Sequence, residues 1–358
     1  MKPPSGNIAR LIARFPELKL DALLITALPN VRYLTGFTGS NALLAITPES
    51  WVLFTDSRYE IQAREQVSGP VKVVRMPLAI AAGAWIARKR ARRIGFEKTR
   101  LLHEDYAVIH DTLRLNSSLV PAPGWVERLR MVKSEDEIAR IRRSVLTNSA
   151  ALAAALPRIR PGITENDVAA ELEYQMRRRG AEKPAFETIV ASGARTALPH
   201  AEPGPRRLES NQLLLIDMGA SQEGYASDMT RMFVLGKTGA RTKRVFRAVR
   251  KAQLAAIEAV RAGVTAGQVD REARRVLQAE GLGREFVHST GHGLGLEIHE
   301  PPRLGKQDGT VLEAGMVITI EPGAYIDGLG GVRIEDTVLV TPTGCEVLTP
   351  TSKELISL

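Results

Sequence analysis

The sequence predicts a two-domain α/β protein, a smaller α/β domain followed by a larger domain built from two similar α/β halves. Three observations predict it. Strand-like and helical segments alternate through about the first 125 residues. A Pro- and Gly-containing stretch, VPAPGWVERLRMVKSEDE, then changes the character of the chain. Beyond it a helix–helix–hairpin pattern occurs twice, and 358 residues leave room for about two domains of the usual 100–200 residues.

In the first domain LDALLITA, NALLAIT and WVLFTD read as strands, followed by a helical RYEIQAREQ and the strand-like VKVVRM. A helical LAIAAGAWIARKRARR, the short IGFE, a helix from Tyr106 to Leu115 and the extended SLVPAP complete it. The boundary is expected at Glu127, giving domains 1–127 and 128–358. Ser134 is the expected N-cap of a helix running to about Leu156, because Glu135, Asp136 and Glu137 place negative charge at its positive end. A second long helix, Arg241 to Ala262, has a matching sequel: RPGITENDVAAELEYQMRRRG is echoed by RAGVTAGQVDREARRVLQAEG. Gly162 and Thr164 recur as Gly263 and Thr265, 101 residues on, and Asp217 recurs as Glu321 after 104. Two halves facing each other would bring both hairpins to a central site.

Each hairpin carries a pair of acids. Asp217 and Asp228 lie in LLLIDMGASQEGYASDMTRMFVL, and their midpoint falls between Gln222 and Glu223, so a simple register sets them face to face. Glu321 and Glu335 are centred on Gly328 in DGLGG. Directly opposed residues have Cβ atoms roughly 4.5–5.5 Å apart, suited to bridging metals about 3.5–4 Å apart. Four gathered carboxylates repel and raise one another's pKa values, so a cation is required. His288, His292 and His299, in the Gly-punctuated FVHSTGHGLGLEIHEPP, are the nearby nitrogen donors. One neutral imidazole with four carboxylates is a hard, oxygen-rich shell that favours Mn²⁺, with Co²⁺, Zn²⁺ and Fe²⁺ as alternatives.

The net charge of +9 raises acidic partners. The basic residues are spread along helical segments such as RTKRVFRAVRKAQ and IARKRARR without interleaved aromatics, so a solvated surface and no nucleic-acid partner are expected. No apolar run approaches a membrane span, and MKPPSGNIARLIARFPELKLD interrupts its apolar residues with charges, unlike a signal peptide. Cys345 alone cannot make an internal disulfide, so a cytoplasmic location is expected. His103 and His110, among charged neighbours on a helix, are expected at the surface with no role.

The series DMGASQEGYASDMTR, HSTGHGLGLEIHE, TIEPG and GGVRIEDT resembles the metallopeptidases of the pita-bread fold, and AEKPAFETIVASGARTALPH narrows the resemblance to the Xaa-Pro peptidases. NVRYLTGFTGS and LFTDSRYEIQA resemble the non-catalytic, creatinase-like N-terminal domain of prolidases and aminopeptidases P. The resemblance implies a C-terminal pita-bread domain of pseudo-two-fold α+β architecture and a centre of two divalent ions. Asp217 would bind one ion, His292 and Glu321 the other, and Asp228 and Glu335 would bridge them. In that family a water shared by the ions becomes the nucleophile, a bridging hydroxide. Glu321 would take or relay its proton, and His299 would donate to the developing oxyanion. His288, His200 and Arg333 match supporting or substrate-contacting positions, and Phe186 and Ile189 match the wall of the proline pocket.

Arg333 lies two residues before Glu335, on the same face of a strand, where it would either fork to a ligand carboxylate or bind a dipeptide's C-terminal carboxylate. Tyr225 and Thr230 flank Asp228 and are expected to pack or hydrogen-bond rather than react. The implied activity is that of an Xaa-Pro dipeptidase or Xaa-Pro aminopeptidase acting on proline-containing di- or oligopeptides. Alternatives are a pita-bread hydrolase of other specificity and a catalytically silent binding module. The resemblance also implies a homodimer. AEPGPRRLESNQ, after His200, departs from the family's pattern in a loop bordering the substrate.

Overall fold

In the computed structural model, which describes residues 6–113 and 116–358, the chain divides between Arg130 and Met131. That division lies at the end of the helix that contains Glu127.

The first unit has strands β1 (Ala22–Ile25), β2 (Ala42–Ile46), β3 (Trp51–Thr55), β4 (Val71–Val73), β5 (Arg93–Glu97) and β6 (Ser118–Ala122), in the spatial order β4-β3-β2-β1-β5-β6. Only β2 runs against its neighbours. The runs are continuously apolar because both faces are covered. Leu23, Ile25, Leu44 and Ile46 pack with Leu11 of α1 (Gly6–Ile12), Phe15 of α2 (Phe15–Leu18), Val31 of α3 (Leu28–Thr35) and Ala63 of α4 (Glu60–Gln66). Leu24, Leu43, Ala45 and Phe54 pack on the other side with Ile86 of α5 (Leu78–Arg88) and Ile109 of α6 (His103–Thr112). Pro121 sits in the edge strand β6, where its missing N–H is tolerated. Helices α1, α2 and α3 have no counterpart in the sequence reading. Helix α6 starts earlier than expected, and Arg114 and Leu115, the expected end, lie outside the described residues. His103 and His110 are exposed. Helix α7 (Trp125–Met131) closes the unit.

The second unit repeats itself in structural detail. Helices α8 (Glu135–Ala155) and α9 (Glu165–Arg178) belong to the first half. A capping box starts α8, Ser134 accepting from the N–H of Glu137 while Glu137 accepts from Ser134. Thr164 with Asp167 does the same for α9. In the second half Thr265 with Gln268 caps α11 (Ala266–Ala279), which follows α10 (Ala240–Ala259). Gly162 (φ 96°) and Gly263 (φ 89°) take left-handed conformations, and their N–H groups donate to Leu208 and Leu312 at 2.8 and 2.9 Å. The faint sequence echo is a repeated loop-to-helix junction.

The first half contributes β7 (Lys183–Pro184), β8 (Ile189–Ser192), β9 (Leu213–Met218), β10 (Ala220–Gln222), β11 (Tyr225–Ala226) and β12 (Met229–Val234). The second contributes β13 (Gly291–Gly293), β14 (Glu300–Leu304), β15 (Val317–Ile320), β16 (Gly323–Ile326), β17 (Gly330–Arg333), β18 (Asp336–Val340) and β19 (Cys345–Val347). A last strand, β20 (Ile356–Ser357), returns to pair with β12, giving sheets β20-β12-β9-β8 and β14-β13-β15-β18-β19. Leu214, Ile216 and Phe233 pack against α8 and α9. Leu213, Leu215, Met232 and Val234 face the other way, into a core shared with α10, α11, Ile318, Ile320 and Val338. Asp217 continues the parity of Leu213 and Leu215, so the chain alternation itself turns its carboxylate toward the second half. No helix among the described residues is long and apolar enough to cross a membrane.

Candidate metal centre

The two hairpins differ in register. In the second, Ile320 pairs with Asp336 and Gly323 with Arg333, a register that sets Glu321 opposite Glu335, as their spacing predicts. In the first, Asp217 pairs with Thr230 and not with Asp228. The expectation that the two aspartates face each other is therefore corrected by two residues. The turn is responsible: Ser221 pairs with Ala226 and Gln222 with Tyr225, leaving Glu223 (φ 51°) and Gly224 (φ 77°) as a two-residue turn with both φ positive. That is the type I′ geometry that suits hairpin twist. Its centre lies one residue beyond the midpoint of the acids.

Thr230, facing Asp217, serves the other hairpin. Its Oγ1 donates to Glu335 Oε2 at 2.6 Å. Reciprocally, Thr337 Oγ1 donates to the carbonyl of Asp228 at 2.9 Å. Each hairpin thus braces an acid residue of its partner.

Asp228, His292 and Glu335 each offer one ligand atom, and the three atoms lie within 4.8 Å of one another. His292 Nδ1 donates to the Gly293 carbonyl at 3.0 Å, which leaves Nε2 as a bare lone pair. That lone pair faces Asp228 Oδ2 and Glu321 Oε1, each at 3.5 Å. Burial lowers the pKa of His292, so the imidazole is neutral. A neutral nitrogen lone pair has nothing to offer two ionised carboxylate oxygens unless a cation lies between them. Asp217 Oδ1 is buried without any hydrogen-bond partner, while Oδ2 takes Arg333 Nη2 at 2.5 Å. A buried, unpartnered carboxylate oxygen is costly, and a metal ion removes the cost. The donor set therefore fits divalent metal.

Electrostatics agrees. Burial pushes Asp228 well above the carboxylate range, helped by the charges of Glu335, Asp217 and Glu321. Glu335 is raised in the same way, by burial and then by Glu321 and Asp217. Glu321 is lifted to about 7, chiefly by burial, with Arg333 opposing. The four acids are a site held ready for positive charge.

Around the ligands the side chains are tightly held. Arg333, 3% exposed, donates to Asp217, to Thr230 Oγ1 (3.0 Å), to Tyr325 Oη (2.8 Å) and to the Pro199 carbonyl (3.1 Å). Of the two uses left open for it, it makes the contact with a carboxylate of the cluster, that of Asp217. His288 Nδ1 donates to the Ser289 carbonyl, so its Nε2 accepts from Tyr325 Oη, each at 2.8 Å. Burial drives the His288 pKa down to about 4, keeping it neutral. The ring of His299 meets that of His292 edge-on, centroids 4.4 Å apart. Tyr225 donates to Glu137 and takes no part in the cluster.

All eleven residues singled out from the sequence, from Phe186 and Ile189 through His200 to Glu335, line one cavity of about 820 Å³. Tyr325 was missed. Strand alternation could have found it, since it pairs with Gly331 and so shares a face with Arg333. Thr319, whose Oγ1 lies 3.3 Å from Glu321 Oε1 and accepts from the His292 N–H, was also missed, although its spacing to Glu321 is two residues.

The chain was compared with known proteins. It matches the description of metallopeptidase family M24 over residues 139–342 and that of the creatinase/prolidase N-terminal domain over residues 7–132. An Xaa-Pro dipeptidase from Pyrococcus horikoshii is 38% identical over 353 residues, 98% of each chain. Among solved structures, an Xaa-Pro dipeptidase from Bacillus anthracis superposes with a TM-score of 0.95 at 38% identity, covering 98% of this chain and 99% of that one. An X-Pro aminopeptidase from Thermotoga maritima superposes with a TM-score of 0.90 at 34% identity, covering 99% and 100%.

Proposed function

We propose, for a chain that belongs to metallopeptidase family M24, hydrolysis of the bond between an N-terminal residue and proline, with Xaa-Pro dipeptides as the preferred substrates. Its units are the creatinase-like N-terminal domain and the pita-bread catalytic domain of that family, and the chain is a metallo-exopeptidase. One observation carries the reading: a neutral His292 lone pair and four gathered carboxylates in a cavity that also holds the apolar Phe186 and Ile189. The full-length similarity to Xaa-Pro dipeptidases supports it.

In this reading Asp217, Asp228, His292, Glu321 and Glu335 would hold two divalent ions, Asp228 and Glu335 being the residues that would be shared. Bound there, the ions would supply acidification of a water and polarisation of the scissile carbonyl. Glu321 would take a proton from the water and return it to the leaving proline nitrogen. His299, at the open side of His292, donates to the carbonyl oxygen as negative charge develops. Arg333 holds Asp217, so the dipeptide's free carboxylate falls to the exposed His200, and Tyr325 holds His288 and Arg333 in place. Phe186 and Ile189 take the proline ring by shape, which matters because a prolyl peptide bond has no N–H to dock.

Two Mn²⁺ ions, a cytoplasmic setting and a homodimer belong to the same reading; the oxygen-rich ligands support the first and the lone Cys345 the second. An aminopeptidase acting on longer peptides is the second reading, favoured by the similarity to the Thermotoga maritima X-Pro aminopeptidase. The test is hydrolysis by metal-stripped protein reloaded with Mn²⁺, Co²⁺ or Zn²⁺ of an Xaa-Pro dipeptide, an Xaa-Pro-Yaa tripeptide and an Xaa-Ala control. Metal-restored cleavage of the dipeptide is expected. Preference for the tripeptide moves the assignment to the aminopeptidase, and cleavage of neither with any metal overturns the hydrolase reading in favour of a binding module.

A further inference from the structure

Behind the carboxylates lies a buried charged layer that faces away from the cavity. Arg231 is 2% exposed, and each of its five N–H donors is used. Nε donates to the Ser352 carbonyl (2.9 Å), Nη1 to the carbonyls of Thr230 (2.9 Å) and Glu335 (2.5 Å), and Nη2 to Asp336 Oδ1 and the Thr351 carbonyl (both 2.7 Å). Asp336 in turn accepts from Gln253 Nε2 at 2.8 Å and pairs with Lys353 Nζ. Four of the five acceptors of Arg231 are main-chain carbonyls, drawn from three separate stretches of chain.

Two of those carbonyls belong to the residues where the hairpins meet. Thr230 and Glu335 are already joined twice, by Thr230 Oγ1 to Glu335 Oε2 and by the Glu335 N–H to the Thr230 carbonyl at 3.3 Å. Nη1 of Arg231 spans the same pair from behind, so the crossing is locked at three points. We propose that Arg231 is a positioning residue of the metal centre, which sets the separation of the two hairpins at Thr230 and Glu335 and thereby the placement of the Glu335 carboxylate; this rests on the reading of the site as one that holds divalent metal.

Arginine is needed there for its geometry as well as its charge. A lysine offers three donors on one atom and no planar fork, so at least two of the five acceptors would lose the bond that Arg231 gives them. Partners that orient metal ligands are commonly worth 10–100-fold in metal affinity. A residue that only filled the core would move the melting temperature and leave the ions alone.

The experiment is a Co²⁺ titration of metal-stripped wild type, Arg231→Lys and Asp336→Asn. Bound Co²⁺ is followed by visible absorption and calorimetry, alongside thermal melts and steady-state kinetics. Arg231→Lys is expected to weaken at least one Co²⁺ ion about 10–100-fold, to alter the absorption of the bound ion, and to lower kcat at saturating Co²⁺ while KM stays within about twofold. Unchanged Co²⁺ affinity and absorption with only a lowered melting temperature would overturn the proposal. Should Arg231→Lys fail to melt cooperatively, the isosteric Asp336→Asn decides by the same criteria, with a smaller loss of affinity expected and none overturning it. If wild type binds Co²⁺ but cleaves no Xaa-Pro peptide, the substrate assignment falls, and the titration still decides the role of Arg231.

Discussion

The two acid-bearing hairpins look alike in sequence and differ in construction. In the second, a loop centred on Gly328 sets Glu321 opposite Glu335. In the first, the turn at Glu223 and Gly224 moves the pairing on, and Thr230 occupies the place opposite Asp217 that symmetry would give to Asp228. The charges follow the register. Among the acids near Asp228 the strongest influence is Glu335 in the other hairpin, ahead of its own partner Asp217, whereas for Glu335 it is Glu321 in the same hairpin. The difference teaches that equal spacing of two carboxylates about a turn does not make them opposite. The turn's backbone decides, and the displaced position becomes a brace.

The largest effect is expected where the hairpins act alike. Asp228→Asn and His292→Ala should each abolish turnover at saturating Mn²⁺ while far-ultraviolet circular dichroism still shows a cooperative melt. Retained activity in either variant would sink the two-ion reading.

Removing the metal should separate the hairpins. Glu321 rises from 4.5 to about 7 on folding, so its protonated form favours the folded chain. That stability is complete below about pH 4.5 and is lost as pH climbs through about 7. Glu321 alone should cost chelated protein on the order of 3 kcal/mol across that window, with Asp228 and Glu335, raised in the same direction, adding to it; this is read as a falling melting temperature from pH 5 to 8, with metal abolishing the slope. Asp217→Asn, which removes the acid of the other hairpin whose charge raises Glu321, should shift the end of the slope to lower pH; an unmoved profile would remove that influence between the hairpins.

The braces differ next. Thr230→Val deletes a bond to a ligand carboxylate and should weaken metal binding about tenfold. Thr337→Val deletes a bond to a main-chain carbonyl and should cost about 1 kcal/mol of stability with metal affinity nearly unmoved; calorimetric titration of the two variants separates these outcomes. The smallest effect belongs to the turns. Gly224 and Gly328 both have positive φ, and either Gly→Ala change should cost about 1 kcal/mol in chemical denaturation. If the Glu223–Gly224 turn sets the register, only Gly224→Ala should also loosen metal.

The sequence made the gathering of the four acids legible because buried acids inside apolar strands have few explanations, and because Gly162 with Thr164 and Gly263 with Thr265 mark the same junction twice. It hid the first register, since Glu223 at φ 51° is a left-handed non-glycine residue that no composition rule announces. Helix α3 was overlooked although Pro29 at its start and a left-handed Gly36 at its end are ordinary signals. The ion pair of Lys133 with Glu300 and that of Arg231 with Asp336 join residues far apart in the chain. Such partners become neighbours only through the fold, so local pattern contains no trace of them.

The division of the four acids between two distant hairpins has a consequence for biosynthesis. As the chain leaves the ribosome, Asp217 and Asp228 emerge with Thr230 and Arg231, but Glu321 follows Asp228 by 93 residues and Glu335 comes later still. Until then the first hairpin offers two aspartates, joined only by His292 once that residue has emerged, and Thr230 and Arg231 have no Glu335 to hold. A nascent chain is therefore a poor competitor for scarce metal, and loading is an event in the life of the finished polypeptide. On this order of synthesis a metal-free folded protein is expected first, and the ion it captures is then set by what its surroundings supply.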